Sequence, residues 1–142
     1  MLSPWQAFAL TIVALFLKMF ATAFVQGVAR MKSKTFAYPE DAAAFGGTAG
    51  AADHPLAERG QRALRNDLEN IPMFSFLALA YVQLGCWETG VHVYFPIFVL
   101  ARIGHTLTFL RPTQPLRNRF YLVGVLVCLV LSGHIVAMVL AG

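Results

Sequence analysis

Charge is scarce in this sequence. Of its 142 residues only 13% are Asp, Glu, Lys or Arg, about half the share of a soluble domain, while 58% are hydrophobic. Mean hydropathy is +0.63. Cysteine is almost absent: Cys86 and Cys128 both lie in apolar runs without metal-ligand spacing, which excludes a disulfide framework and a zinc site and leaves them as packing residues. His54, His92 and His134 are scattered along the chain, so no metal site is expected. There is no internal repeat and no low-complexity tract. The glycine cluster Gly46-Gly47-Thr48-Ala49-Gly50 lacks the Gly-Lys-Ser/Thr ending of a phosphate loop. A net charge of +4 without a soluble basic face and interleaved aromatics excludes nucleic acid as a partner.

What remains is apolar sequence in lengths suited to a bilayer. A hydrocarbon core about 30 Å thick needs roughly 20 mostly apolar residues per helix. Four segments qualify, over about 4–29, 56–87, 93–110 and 116–140, within a single domain spanning residues 1–142. The expected fold is therefore all-α, an integral membrane four-helix bundle. Pro4 and Pro55 suit first helical turns, and Pro72 is expected to kink the second segment. Ala21-Thr22-Ala23 has the form of a signal-peptide cleavage site, but no Lys or Arg precedes the apolar stretch, so the first segment is read as a retained span. Residues 31–55 read as one long, flexible connection, and the second turn is expected around Glu88-Thr89-Gly90. All Lys and Arg except Lys18 lie toward the first and third loops or the helix ends beside them. The positive-inside rule then places both loops in the cytoplasm and both termini opposite, in a bacterial inner membrane or the endoplasmic reticulum.

Ionisable groups at membrane depth are costly and mark protein interiors or functional cavities. At 100° per residue Arg59, Arg62, Arg65, Asn66 and Glu69 share about a third of the second helix. Arg102, His105 and Phe109 share a face of the third, Arg117 and Tyr121 a face of the fourth, and the first ends in Arg30. If these faces converge they form a cationic pocket with one carboxylate, suited to a small anionic or zwitterionic ligand. Spacing alone leaves a second reading open, in which Arg62 and Glu69 pair across helices and the outer arginines bind lipid phosphates. His105 taken alone equally fits an interhelical hydrogen bond. Lys18 reads as a buried or snorkelling partner rather than a nucleophile.

The run Glu58-Arg59-Gly60-Gln61-Arg62-Ala63-Leu64-Arg65-Asn66-Asp67-Leu68-Glu69-Asn70-Ile71-Pro72 resembles the signature of the MAPEG family, the membrane-associated proteins of eicosanoid and glutathione metabolism. Two further blocks are similar to its microsomal glutathione transferases and prostaglandin E synthases. One comprises Lys18-Met19, Arg30, Phe36-Ala37-Tyr38-Pro39-Glu40-Asp41 and Phe45-Gly46-Gly47; the other, Ala101-Arg102-Ile103-Gly104-His105-Thr106 with Pro115-Leu116-Arg117 and Tyr121. The resemblance implies a homotrimer that binds glutathione in a U-shape between adjacent subunits. Carried over, Arg30, Arg65, Asn66, Glu69, His105 and Tyr121 hold glutathione, Arg62 and Arg102 support them, and Arg117 faces the thiol as the catalytic group. It implies a glutathione transferase, and peroxidase, acting on a lipophilic substrate among membrane lipids. The alternatives are a prostaglandin E synthase-type isomerase and a non-catalytic lipid-binding scaffold. Phe109 stands where these enzymes often have tyrosine, and Asn118 where the prostaglandin synthase has serine, which argues against endoperoxide isomerisation.

Overall fold

The computed structural model describes residues 1–50 and 52–142. Four long helices dominate: α1 (Pro4–Ser33), α3 (Pro55–Gln83), α4 (Glu88–Leu110) and α5 (Leu116–Ala141). Their starts are written locally. Ser3 caps α1 in a reciprocal box, its Oγ accepting from the Gln6 N–H at 3.3 Å while Gln6 Oε1 accepts from the Ser3 N–H at 2.9 Å. His54 Nδ1 accepts from the Leu56 N–H and caps α3, with Pro55 in its first turn. Lys34, in the left-handed region at φ 53°, stops α1.

The segment between α1 and α3 is folded rather than loose. β1 (Thr35–Phe36) and β2 (Thr48–Ala49) pair in parallel and bracket α2 (Pro39–Phe45). The Phe36 and Phe45 rings stack at 6.0 Å, and Lys34 Nζ donates to the Phe45 carbonyl at 2.9 Å. Gly46 supplies φ 66° after α2, and Gly47 lies where a Cβ would run into the Lys34 carbonyl and come within 2.7 Å of the Phe36 ring. Ring stacking and close backbone approach thus replace the freedom that the glycines suggest.

The second turn also shifts. α3 ends at Gln83 and α4 already begins at Glu88, so Glu88, Thr89 and Gly90 are helical and the turn lies over Leu84–Trp87. Gly85 provides the positive φ of 78° there, and Glu88 gains from the dipole of the new helix N-terminus. Pro72 and Pro96 both lie within helices that continue through them.

α1 packs on α3 and α4, and α5 on α4 and α3. The core is aromatic at its centre: Phe74 stacks on Phe98 at 3.7 Å and meets Phe95 edge-on at 5.7 Å, with Leu15, Val91 and Leu131 buried around them. Small residues admit close helix approach. Ala57, Ala63, Ala78 and Ala101 are buried, and a Cβ on Gly104 would collide with the Phe120 ring. Near the turn joining α3 to α4, Tyr81, Trp87 and Tyr94 surround His134, with the Tyr81 hydroxyl 3.4 Å from His134 Nδ1. Gly90 lies against this cluster, where a Cβ would be 2.6 Å from the Tyr81 hydroxyl.

Three helices, α1, α4 and α5, are long and apolar enough to cross a membrane. They turn Leu10, Phe16, Phe20, Phe24, Leu126 and Leu129 outward, an arrangement that water would penalise and lipid does not. α3 is less apolar, its first half carrying Glu58, Arg59, Arg62, Arg65, Asp67 and Glu69.

Candidate functional site

The inner face of α3 is built by Ala57, Gly60, Ala63, Asp67, Ile71, Phe74 and Ala78, which recur every three or four residues and are all buried. One of them is a carboxylate. Asp67 is 0% exposed and is shared between two cations. Lys18 of α1 pairs with its Oδ2, while Arg102 of α4, also 0% exposed, donates to its Oδ1 from Nε at 3.3 Å and from Nη2 at 2.8 Å. A buried carboxylate persists only when paired and hydrogen-bonded, and here two helices supply the partners. Arg102 Nη2 also reaches Asn66 Oδ1 at 2.6 Å and lies 3.5 Å from His105 Nδ1.

From His105 the cluster continues along the seam of α4 and α5. Its ring meets Phe109 edge-on at 5.6 Å and lies 6.3 Å from the ring of Tyr121. The Arg117 guanidinium sits 4.7 Å from the Phe109 centroid, a cation–π contact that holds it beside this cluster. Asn66, Arg102 and His105 are in polar contact, and Tyr121 and Arg117 adjoin them only through rings, the latter through that of Phe109, so the five gather along one polar path.

The remaining expected residues are placed elsewhere. Arg62 and Arg65 are 71% and 86% exposed in their side chains, and each stands 3.7 Å from a carboxylate one turn away, Glu58 and Glu69 respectively. Arg62 does not pair with Glu69. Within one chain the polar faces do not meet in one pocket: Glu69 turns outward, and the inward carboxylate is Asp67. The reason is geometric, since at 100° per residue Asp67 lies about 80° from Arg59 at the near edge of the arginine stripe and about 140° from Arg62. Sequence reasoning followed the stripe and passed over Asp67, the partner of the buried Lys18. The available signal was one acidic residue recurring in register with small and apolar ones.

Arg30 points to a third place. Its Nε and Nη2 donate to Asp53 Oδ2 at 2.8 and 2.6 Å, and Asp53 Oδ1 accepts from the His54 N–H at 2.8 Å. Burial opposes the Asp53 carboxylate, but these bonds and the charge of Arg30 outweigh it and hold its pKa below the ordinary carboxylate value. Arg30 and Arg62 share the wall of a polar groove of about 350 Å³ with Tyr38, Asp53, Glu58 and Gln61. An apolar groove of about 460 Å³ runs between α1 and α4, walled by Leu17, Ala21, Ile103 and Leu107, with Lys18 and Thr106 also lining it.

Comparison with known proteins gives a consistent answer. The model of the MAPEG family matches residues 8–137. Prostaglandin E synthase of Equus caballus is 39% identical over 131 residues, 92% of this chain and 86% of that protein. The Homo sapiens prostaglandin E synthase is 37% identical over 123 residues, covering 86% and 81%. Microsomal glutathione S-transferase 1 of Rattus norvegicus is 41% identical over 109 residues, covering 73% and 68%.

Proposed function

Since this chain belongs to the MAPEG family, we propose that it is a glutathione-dependent membrane enzyme that turns the glutathione thiol on a lipophilic electrophile. The observation that carries this reading is the gathering of Asn66, Arg102, His105, Arg117 and Tyr121 in one region between α3, α4 and α5. Its donors fit glutathione: guanidinium forks for carboxylates, amide and hydroxyl groups for the peptide, and a cation for the sulfur.

α3 is the fourth span, its first turns in the headgroup region and the rest, from about Asp67 onward, at membrane depth beside Lys18 and Arg102. The working unit is a homotrimer. In one chain, Arg65 and Glu69 face away from Arg102 and His105, and Arg30 and Arg62 line a separate groove. One small zwitterion meets all three sets only if a neighbouring copy closes the site. Arg65 then takes a carboxylate, Glu69 the ammonium, and Arg30, Arg62, Asn66, Arg102, His105 and Tyr121 the rest of the peptide.

Bound glutathione supplies a thiol whose anion is the nucleophile. Arg117 holds the negative charge as the proton leaves the sulfur. The apolar groove between α1 and α4 offers lipid-soluble substrates a way in from the bilayer, and the packed aromatic core below excludes water. Sequence similarity to enzymes named prostaglandin E synthase favours one second reading, isomerisation of an endoperoxide by the same site.

Calorimetry with glutathione tests the binding step. Arg65→Ala and Glu69→Gln each weaken affinity at least about tenfold, as expected when one partner of a buried charged contact is lost. Unaltered affinity in both would place the site elsewhere. An aryl halide, a lipid hydroperoxide and a prostaglandin endoperoxide, each offered with glutathione, separate conjugation, peroxide reduction and isomerisation. Turnover of none of them, with glutathione bound, would leave a lipid-binding scaffold.

A further inference from the structure

The buried network has an unbalanced charge. Lys18 and Arg102 bring two positive charges and Asp67 one negative, and His105 can only add to the positive side. The groups facing this site are Lys18 from α1, Asp67 from α3, Arg102 and His105 from α4, and Arg117, Tyr121 and Cys128 from α5. None but Asp67 is acidic at neutral pH. The sequence has seven acidic residues. Asp53 is taken by Arg30, Glu58 and Glu69 stand beside Arg62 and Arg65 on the outward face, Glu40 and Asp41 are on α2, and Glu88 opens α4 at the far end. No second carboxylate is placed to neutralise the network.

An isolated Arg102–Asp67 pair would be neutral, and its field at the polar path would largely cancel. Lys18 changes that. By occupying Asp67 Oδ2 it adds a second cation to the one carboxylate, while Arg102 Nη2, held to Asp67 Oδ1, also meets Asn66 and faces His105, so the network presents a net positive charge there. A surplus charge in a low-dielectric interior is expensive unless an anion completes it. The anion must come from outside the chain.

We propose that Lys18 is a positioning residue for the reaction: acting through Asp67 and Arg102, it sets the buried network one positive charge above neutrality, and that surplus holds bound glutathione as its thiolate. The inference rests on the glutathione-dependent reading above. It assigns to Lys18 no contact with glutathione. Its effect is electrostatic and so follows the charge count, whereas a purely structural role would follow the hydrogen bonds.

The test is the ultraviolet absorbance of the bound thiolate, titrated with pH, in the full chain in lipid nanodiscs saturated with glutathione. Lys18→Gln keeps a donor for Asp67 but removes the charge, and raises the pKa of the bound thiol by about one, a tenfold loss of thiolate below that pKa. Lys18→Arg leaves it at the wild-type value. The double variant Lys18→Gln/Asp67→Asn loses both hydrogen-bonding charges yet restores the surplus of one, and returns the pKa to within a few tenths of wild type. An unmoved pKa in Lys18→Gln overturns the inference, as does a double variant that shifts as far as the single one. Should Lys18→Gln fail to fold, Asp67→Asn against the double variant decides: the two differ only in the charge at Lys18, so the bound thiol's pKa is lower by about one in Asp67→Asn, and equal values overturn the inference. If wild type binds no glutathione, the functional reading fails first; if wild type binds thiolate and the variants do not follow the charge, only the role of Lys18 fails.

Discussion

Arg117 and Tyr121 show what one residue can reveal before any fold is known. Four residues apart on a helix, they share a face, and the structure sets that face against His105 and Phe109. Arg117→Ala is expected to lower turnover roughly ten- to a hundredfold while glutathione affinity changes little, because Arg117 serves the charge that appears on the sulfur. The bound thiol's pKa should rise by about one to two, and Arg117→Lys should recover part of it. Lost activity with an unchanged thiol pKa would argue for misfolding instead. Asp67 shows the opposite case. A charged residue inside an apolar register was visible in the sequence, but its partners Lys18 and Arg102 lie 49 and 35 positions away, and no local pattern joins them. Asp53 was equally silent, because its bond to Arg30 depends on how the connecting segment folds back. Its depressed pKa carries a signed expectation. The Arg30–Asp53 tie contributes fully above the ordinary carboxylate pKa and is lost as pH falls through the lower folded value. Hydrogen exchange across residues 35–50, compared in wild type and Asp53→Asn, should converge under acid and differ at neutral pH.

Elements were legible where periodicity decides them and not where contacts do. The four long helices follow from apolar length and proline placement, with ends off by a few residues at the second turn because Gly85, not Gly90, supplies the required φ. The segment between α1 and α3 misled for a physical reason: glycine and alanine composition suggests freedom, whereas Gly46 and Gly47 are there to let β2 return beneath Phe36. Gly47→Ala should therefore destabilise this segment by about 1–3 kcal/mol, since a Cβ meets backbone rather than a yielding side chain. Faster limited proteolysis between α1 and α3, with unchanged helix content by circular dichroism, is the expected result. A protection pattern like that of wild type would mean that the β1–β2 pairing tolerates the methyl group.

At the scale of the whole molecule, the scarcity of charge told most of the story: α1, α4 and α5 turn apolar faces outward that suit lipid, and the proposed trimer would bring the divided polar faces together. Native mass spectrometry in mild detergent should give three copies per particle, and a monomer that still binds glutathione would refute closure of the site by a neighbour. The Lys18–Asp67–Arg102 tie has a consequence for biogenesis as well. The chain delivers its helices in order, and the charges arrive as cation, anion, cation. A lone Lys18 can stretch toward the headgroups while α1 waits in the bilayer. Asp67 then reaches it and forms a neutral pair, so α3 gains a reason to stay beside α1 despite its charged first half. Arg102 comes last, on a helix whose insertion alone would cost about 2.5–3.5 kcal/mol at mid-membrane, and finds an acceptor already held in place. Because one carboxylate serves both cations, the seating of α1 and of α4 against α3 is tied to a single side chain.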